Sequence, residues 1–232
     1  MARPLPPERL AQIAEAAKQA FGRLGYKRTH MADVAVAAGL SSGAIYNYVE
    51  SKEALFHLVF AQAFGVFAEG IPALPLASPT PGETVALIRE GLRRAADAPL
   101  LRMALHADAS ADVRDELRAI VEEQYDMIER LWPVLAVIEQ CAVDLPALEE
   151  MYFERARPGR HHGLARYLSR RAAGGQLRAM PDADIAARLV TEAVAWFAWH
   201  RRDDRDAKLF DDELARRTVV EFVCDALVAP LP

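Results

Sequence analysis

The amino-acid sequence predicts an all-α protein, with a small cluster of three helices at the N-terminal end and a larger helical domain behind it, about nine or ten helices in all. Three observations lead to this class. Apolar residues recur at intervals of three and four along most of the chain. Glycine and proline separate these periodic segments from one another. No segment of useful length alternates apolar with polar residues, as a half-buried strand does.

The composition is typical of a folded globular protein, since 52% of the 232 residues are hydrophobic and 26% are charged. Two cysteines, Cys141 and Cys224, are too few for a disulfide framework. No uncharged run approaches the length that spans a bilayer. We therefore expect a cytoplasmic protein that does not enter a membrane. Its formal charge is −5, yet residues 1–55 carry a net +2. This asymmetry is compatible with one basic end that meets nucleic acid.

The first two helices have recognisable starts. Proline followed by an acidic residue at positions 6–8 favours the first turn of a helix, which an amphipathic pattern continues up to Gly25. Thr29 can then cap the second helix, because a threonine hydroxyl accepts hydrogen bonds from free backbone N–H groups.

The third helix is short and the fourth is long. Either Ser41 or Ser42 can cap the third, which we expect over residues 42–49. Ser51 opens the fourth helix, which should reach about Glu69.

The segment 71–82 contains four prolines and is the clearest connector in the chain. Helical periodicity then returns, with breaks at Gly174-Gly175 and at the charged run 202–206. The predicted helices cover about 83–97, 99–108, 111–140 (with a possible bend at Pro133), 146–173, 182–202 and 211–229.

Residues 38–41, Ala-Gly-Leu-Ser, are typical of the turn in a helix-turn-helix, whose second helix enters a DNA major groove. With Ile45 and Val49 facing inward, that helix would present Asn47, whose amide can pair with adenine, and Tyr46, whose hydroxyl can bind a phosphate. Ala44 could lie against a thymine methyl group. Other groups suit phosphates or a close backbone approach, namely Arg28, Thr29, Gly43, Tyr48 and Lys52.

Over residues 8–60 the sequence resembles the N-terminal domain of the TetR family of bacterial transcriptional regulators. The resemblance rests on motifs in a fixed order: Phe21-Gly22-Arg23-Leu24-Gly25-Tyr26, Thr29, Asp33-Val34-Ala35, Ala38-Gly39-Leu40-Ser41, Gly43-Ala44-Ile45-Tyr46-Asn47-Tyr48 and Lys52-Glu53-Ala54-Leu55. The chain departs from the family pattern at His30, Val49 and Glu50. We expect Glu50 to point away from DNA, because its carboxylate would repel a phosphate.

The resemblance implies that Thr29, Ser41, Gly43, Tyr46, Tyr48 and Lys52 lie where family members contact DNA. Together with the interpretation of the residues themselves, the expected DNA-binding set is Arg28, Thr29, Ser41, Ser42, Gly43, Ala44, Tyr46, Asn47, Tyr48 and Lys52.

The resemblance also implies a ligand-responsive regulator, in most cases a repressor, that a small-molecule effector releases from double-stranded DNA. Residues 1–55 would form the DNA-binding domain, and residues 56–232 would bind the effector and dimerise. We expect no cofactor and no enzymatic activity.

The last two predicted helices are apolar on more than one side, so each needs burial on two sides. One side would meet the domain core and the other a second copy of the chain, forming a two-fold homodimer that binds an inverted-repeat operator. The expected interface residues are Val190, Val194, Phe197, Val219, Phe222, Val223 and Ala226. A C-terminal hairpin buried within one chain remains the alternative.

A small and largely apolar effector would bind among aromatic and apolar residues with a few polar groups. The candidates are Phe64, Phe67, Met103, His106, Tyr125, Ile128, Trp132, Tyr152, Arg155 and Trp196. Each could equally belong to an ordinary hydrophobic core.

Two other classes of function stay open. A constitutive DNA-binding or architectural protein would need no effector. An all-α enzyme could use Asp203 and Asp204 with Mg²⁺, but these residues fall between helices rather than along one face. His161 and His162 are adjacent, so they cannot bind one metal ion from the same side of a helix. We therefore expect no metal site.

Overall fold

The computed structural model describes residues 7–68, 70 and 73–229, in which every regular element is a helix; this confirms the predicted fold class. The α-helices are α1 (Pro7–Leu24), α2 (Met31–Ala37), α3 (Lys52–Ala63), α4 (Glu83–Ala95), α5 (Pro99–His106), α6 (Val113–Ala142), α7 (Pro146–Glu149), α8 (Arg157–Ala173), α9 (Ala183–Ala198) and α10 (Asp212–Leu227). No helix of the described residues is both long and apolar enough to cross a membrane.

The chain divides into two compact units. The first contains the residues up to 95 together with 133–155, and the second contains 96–132 together with the residues from 156 onwards. Helix α6 contributes to both, and it continues as a helix through Pro133, where the division falls. The functional boundary at residue 55 stays a prediction, because the compactness of a unit does not reveal which residues contact DNA.

The core of the first unit is aromatic where α1 meets α3. Phe21 of α1 lies edge-on to Phe56 of α3 at 5.1 Å between ring centroids, and Phe56 contacts Phe60 in the same way at 5.0 Å. Val34 and Ala35 on α2 are fully buried. Packing of this kind adds about 0.5–1.5 kcal/mol per aromatic pair to the burial itself.

The predicted third α-helix over 42–49 is wrong, because the chain forms only a 3₁₀-helix at Ala44–Asn47. Its N-cap is Gly43, with no side-chain cap from either predicted serine. The reason lies at the C-terminal end: the N–H of Leu76 donates to the carbonyl of Tyr48 at 2.8 Å, and the N–H of Glu50 donates to Leu76 at 3.0 Å. These bonds draw the backbone out of a helical path, and short 3₁₀ segments are common at such points.

Helix α3 starts as predicted but ends earlier than residue 69. The Ser51 hydroxyl accepts a hydrogen bond from the N–H of Ala54 at 3.1 Å, which confirms its capping role. The helix stops at Ala63 because Gly65 adopts φ +69°. The N–H of Val66 then donates to the carbonyl of Ala61 at 2.8 Å, as in a Schellman helix end. Residue 69 itself lies outside the described residues.

The second unit contains α5, the first part of α6, and α8 to α10. Its interior includes a charged pair: Arg171, only 1% exposed, donates from Nε and Nη2 to the two carboxylate oxygens of Glu116 at 2.8 and 3.0 Å. The hydroxyl of Tyr167 donates to the same carboxylate at 3.0 Å. Such an arrangement satisfies the buried charge, which would otherwise carry a large desolvation cost.

The predicted helix over 146–173 is interrupted. After α7 the chain forms a π-helical turn at Glu150–Ala156, and α8 begins only at Arg157. Pro158 accounts for this, since a proline has no N–H to continue the ladder and its ring collides with the carbonyl four residues earlier. A widened π-turn accommodates that conflict. The predicted break at 174–175 is confirmed by the end of α8.

Candidate nucleic-acid interface

The turn between α2 and the 3₁₀-helix requires a glycine. Gly39 has φ +68°, in the left-handed region that side chains disfavour. The N–H of Leu40 donates to Ala35 at 2.8 Å and the N–H of Gly39 to Val36 at 2.9 Å. Arg9 of α1 donates to the Gly39 carbonyl at 3.1 Å. The turn is therefore fixed by backbone bonds and by an arginine from the neighbouring helix.

An exposed surface follows this turn. Ser41, Ser42, Gly43, Tyr46 and Asn47 are exposed, Ala44 is half-buried, and Ile45 is buried. Half of the Tyr46 surface remains in solvent. The expected base reader, Asn47, and the expected phosphate donor, Tyr46, are thus both exposed, as the sequence predicted. We call the residues Ser41–Asn47 the reading face.

Gly43 is not required by the packing of this chain. Its φ of −83° is one that any residue adopts, and a Cβ built there would meet nothing within 4 Å. The absence of a side chain leaves room for something outside the chain to approach the backbone. A phosphate or the wall of a DNA groove suits such an approach, because backbone N–H groups bind phosphates.

Two predicted DNA-binding side chains face inward. Thr29 is 1% exposed, and its hydroxyl donates to the carbonyl of Gly25 at 2.8 Å. It does not cap α2, whose N-cap is His30 without a side-chain hydrogen bond. Tyr48 is 5% exposed. Any role of Thr29 and Tyr48 in DNA binding must therefore involve their backbone or the position that they give to their neighbours.

The two predicted cations are bound to backbone carbonyls of the chain. Arg28 is exposed, and its Nε donates to the carbonyl of Leu24 at 2.8 Å. Lys52 is half-buried; its Nζ donates to the carbonyl of Lys27 at 3.2 Å and lies 4.7 Å from the centre of the Tyr26 ring. The lysine charge is thus held in one place, which suits a phosphate contact.

The acidic residues nearby are turned towards the chain. Glu50 accepts a hydrogen bond from the N–H of Ser78 at 3.2 Å, and its orientation away from DNA stays a prediction. Glu53 accepts a hydrogen bond from the hydroxyl of Tyr26 at 3.0 Å. Burial raises the pKa of Tyr26 well above its usual value, and Glu53 raises it further. The phenol therefore stays protonated and remains a donor.

The ten predicted effector residues are divided between the two units. Phe64, Phe67, Tyr152 and Arg155 belong to the first unit, whereas Met103, His106, Tyr125, Ile128, Trp132 and Trp196 belong to the second. Tyr125, Ile128 and Tyr152 are buried, and Met103, His106, Arg155 and Trp196 are exposed. A Cβ on Gly91 would lie 2.2 Å from the Phe64 ring, so Phe64 is core packing. Binding of an effector by any of these residues stays a prediction.

The second unit contains a small cavity of about 30 Å³ that the sequence did not indicate. Its lining combines the segment between α4 and α5 with α5, α6 and α8, namely Ala96, Asp97, Ala98, Leu101, Ile120, Glu123, Gln124, Met127, Arg160 and Leu164. A volume of this size holds about one water molecule.

The predicted dimer residues fall into two groups. Val190, Val194, Val219 and Val223 are at most 6% exposed within the single chain, so they form its core and cannot meet a second copy. Phe197 is half-buried, while Phe222 and Ala226 are exposed. The apolar residues that α9 and α10 leave in solvent are Ile185, Leu189, Trp196, Leu214 and Phe222. We call these five the outer stripe.

The described residues contain no group of three His, Cys, Asp or Glu side chains that could hold a metal ion. Asp204 accepts hydrogen bonds from the N–H groups of Asp206 and Ala207 at 2.9 and 2.8 Å, so it stabilises a loop. Burial raises the pKa of the Cys141 thiol to about 12 and that of Cys224 to about 11. Both remain protonated and are poor nucleophiles.

Comparison with protein families decides the class of the chain. Residues 13–59 match the model of bacterial regulatory proteins of the tetR family, and residues 116–224 match that of the AefR-like transcriptional repressor, C-terminal domain. The chain belongs to the TetR family. Both matched models describe regulators, which agrees with the expectation that this TetR-family protein is not an enzyme.

Individual relatives agree with this assignment. The HTH-type transcriptional regulator YfiR of Bacillus subtilis (strain 168) is 31% identical over 130 residues, which span 53% of this chain and 62% of YfiR. The alignment thus covers less than two thirds of that relative.

Solved structures share the fold of the chain. AibR in complex with isovaleryl coenzyme A and operator DNA has a TM-score of 0.53 at 18% identity, covering 94% of this chain and 99% of AibR. A regulator from Saccharomonospora viridis in complex with choline has a TM-score of 0.55 at 18% identity, covering 97% and 100%. A TetR family regulator from Chloroflexus aurantiacus reaches 0.55 at 12% identity, covering 97% and 96%.

Proposed function

We propose that this TetR-family chain is a cytoplasmic transcriptional repressor that binds an inverted-repeat operator as a homodimer and is released by a small-molecule effector. The observation that carries the proposal is the reading face. It presents an exposed tyrosine, an exposed asparagine and a glycine that the packing of the chain does not require. The chain also offers two predicted phosphate-binding cations, Arg28 and Lys52.

Residues of the reading face, together with Arg28 and Lys52, would have different roles in DNA binding. Asn47 can form two hydrogen bonds with an adenine in the major groove, worth about 1–3 kcal/mol of discrimination. Tyr46, Lys52 and Arg28 would contact phosphates, which sets the register without reading the sequence. Since the face itself has no lysine or arginine, we expect DNA shape to contribute to specificity.

The exposed apolar residues of the outer stripe support a homodimer. On α9 the exposed positions 185, 189 and 196 lie four and seven residues apart, and on α10 the exposed positions 214 and 222 lie eight apart. Each set therefore falls on one side of its helix. A second copy related by two-fold symmetry would cover both stripes and present two reading faces to the two half-sites.

The effector would enter the cavity of the second unit. Leu101, Ile120, Met127 and Leu164 give it apolar walls, and Gln124 and Arg160 give it polar ends. Its present 30 Å³ is far below the roughly 300 Å³ of typical ligand sites, so binding must open it. Opening of the cavity would shift the protein from conformations that fit the operator to conformations that do not. A nearly complete shift requires that the effector bind the second set of conformations about 5 kcal/mol more tightly than the first. The family model that matches residues 116–224 describes a transcriptional repressor, which supports repression, rather than activation, as the proposed role.

A constitutive DNA-binding protein is the second candidate, and the small volume of that cavity favours it. In this case the second unit would only fold and dimerise. No small molecule would then alter DNA binding.

The test is selection of DNA sites from a random pool by the purified protein, followed by titration of the selected DNA against small molecules. Isovaleryl coenzyme A and choline are the first probes, because the structures of two relatives contain them. Enrichment of an inverted repeat supports the dimeric regulator, and a compound that releases the DNA supports the sensor. The regulator is contradicted if low-salt selection enriches nothing.

A further inference from the structure

The first unit contains a larger cavity, a cleft of about 370 Å³. Its walls come from Tyr26 and the start of α3, from the segment 79–85, and from the loop before α7. The lining residues are Tyr26, Glu53, Phe56, Pro79, Thr80, Pro81, Gly82, Thr84, Val85, Leu145, Pro146, Ala147 and Leu148. We propose that this cleft binds a small ammonium-bearing molecule with an apolar body.

The walls of the cleft are held open by bonds within the chain. Glu83 accepts hydrogen bonds from both the N–H and the hydroxyl of Thr80, each at 2.8 Å. The hydroxyls of Ser51 and Ser78 lie 2.7 Å apart, which ties the same segment to the start of α3. A site with walls fixed in advance needs little ordering when a ligand binds. Its volume also falls within the roughly 300–1,000 Å³ of small-molecule sites.

The polar groups of the cleft select the ligand. Glu53 is the one charged residue among its described lining. The hydroxyls of Thr80 and Thr84 already bind Glu83 and the imidazole of His57. The Glu53 carboxylate already accepts a hydrogen bond from the Tyr26 hydroxyl and also bonds to Ser51 and to its own backbone, so a ligand would take a remaining place among the about four that a carboxylate offers or displace one of these donors. An ammonium group is therefore the recognised head, while Phe56 and the apolar and proline side chains cover the body.

The cleft is connected to the DNA-binding surface by two short contacts. The Tyr26 hydroxyl donates to Glu53, and the ammonium of Lys52 lies over the Tyr26 ring. A cation at Glu53 competes with the Tyr26 hydroxyl and repels the Lys52 ammonium. Ligand binding should therefore weaken DNA binding; this consequence, unlike the occupancy of the cleft, rests on the proposed function.

Calorimetry with 2-phenylethylamine tests the cleft without any DNA. 2-Phenylethanol is the uncharged probe of the same shape. Ala147→Trp fills the cleft from an exposed lining position, and Val143→Trp is the matched control, because Val143 is 83% exposed and does not line the cleft. Thermal unfolding by circular dichroism verifies that each variant folds. We expect saturable binding of the amine to the wild type and to Val143→Trp, and none to Ala147→Trp.

Glu53→Gln tests the chemistry of recognition. It should weaken amine binding about fivefold, the effect of an exposed ion pair, and leave the weaker binding of the alcohol unchanged. Equal affinities for the amine and the alcohol would contradict the ligand class. Absence of saturable amine binding, or equal binding by Ala147→Trp and Val143→Trp, would overturn the site. If the amine binds but the affinity for DNA does not fall, the cleft is a binding site and its proposed coupling to DNA is refuted.

Discussion

The carboxylate of Asp144 accepts a hydrogen bond from the backbone N–H of Lys27 at 2.8 Å, although 117 positions separate them in the sequence. The Lys27 ammonium also lies 3.6 Å from the other oxygen of Asp144. The loop after α6 thus holds the loop that leads into α2. We propose that α6, which contributes residues to both compact units, would carry the signal of an effector.

Replacing Asp144 with alanine should lower the free energy of unfolding by about 1–3 kcal/mol, because the Lys27 N–H loses its acceptor. Urea denaturation followed by circular dichroism measures this change. Glu149→Ala removes a nearby exposed carboxylate and serves as the control. Equal midpoints for the two variants would show that the Asp144 contact does not stabilise the first unit.

Replacing Arg171 with methionine should destabilise the protein by about 3 kcal/mol, because Glu116 keeps its charge while losing both arginine hydrogen bonds. The double variant Arg171→Met with Glu116→Gln should recover part of the loss, since it removes the uncompensated charge. Chemical denaturation of both variants measures the difference. A double variant less stable than the single one would contradict this account of the pair.

Stability should fall as the pH is lowered from about 7 to 5.5. Burial lowers the pKa of His57 below 6.5, an effect that Glu83 partly offsets. Burial also lowers the pKa of His161, and Arg188 and Arg157 lower it further. In this window the unfolded chain therefore binds protons that the folded chain does not bind, so acid favours unfolding.

Denaturation midpoints measured across this pH window test the effect. His57→Gln should reduce the slope, and His57→Gln combined with His161→Gln should reduce it further. An unchanged slope in the double variant would assign the pH dependence to other groups.

If the outer stripe forms the proposed dimer interface, Phe222→Glu should give a monomer, because it places a charge in this stripe, where Phe222 is 72% exposed. Light scattering after size-exclusion chromatography measures the mass. Val143→Glu is the control, since it adds the same charge at another exposed apolar position. If both variants keep the mass of the wild type, the outer stripe does not form the dimer interface.

The sequence predicted the elements whose signals are local. Ser51 as a cap, the turn at Gly39 and the break after Ala173 depend on residues within a few positions, and all three are found in the structure. The outward positions of Tyr46 and Asn47 were also predicted, since the buried position of Ile45 determines which neighbours face solvent.

Features that depend on distant residues were missed. The backbone bonds of Leu76 shorten the expected recognition helix, and nothing near residue 48 in the sequence indicates them. Periodicity places an apolar residue on a helix face but does not say whether the face meets its own core or a partner. Val194 and Phe222 were therefore grouped together, although one is fully buried and the other mostly exposed. Neither cavity follows from a local pattern, because each is lined by several separate segments.

The central claim is that the reading face recognises DNA, and parallel site selection with the wild type, Asn47→Ala and Tyr46→Ala tests it most directly. We expect the wild type to enrich an inverted repeat. Asn47→Ala should lose preference at one base position in each half-site, at a cost of about 1–3 kcal/mol there. Tyr46→Ala should keep the same preferences and bind every site more weakly. If Asn47→Ala selects the same sites with the same preferences as the wild type, Asn47 does not read DNA and the claim is contradicted.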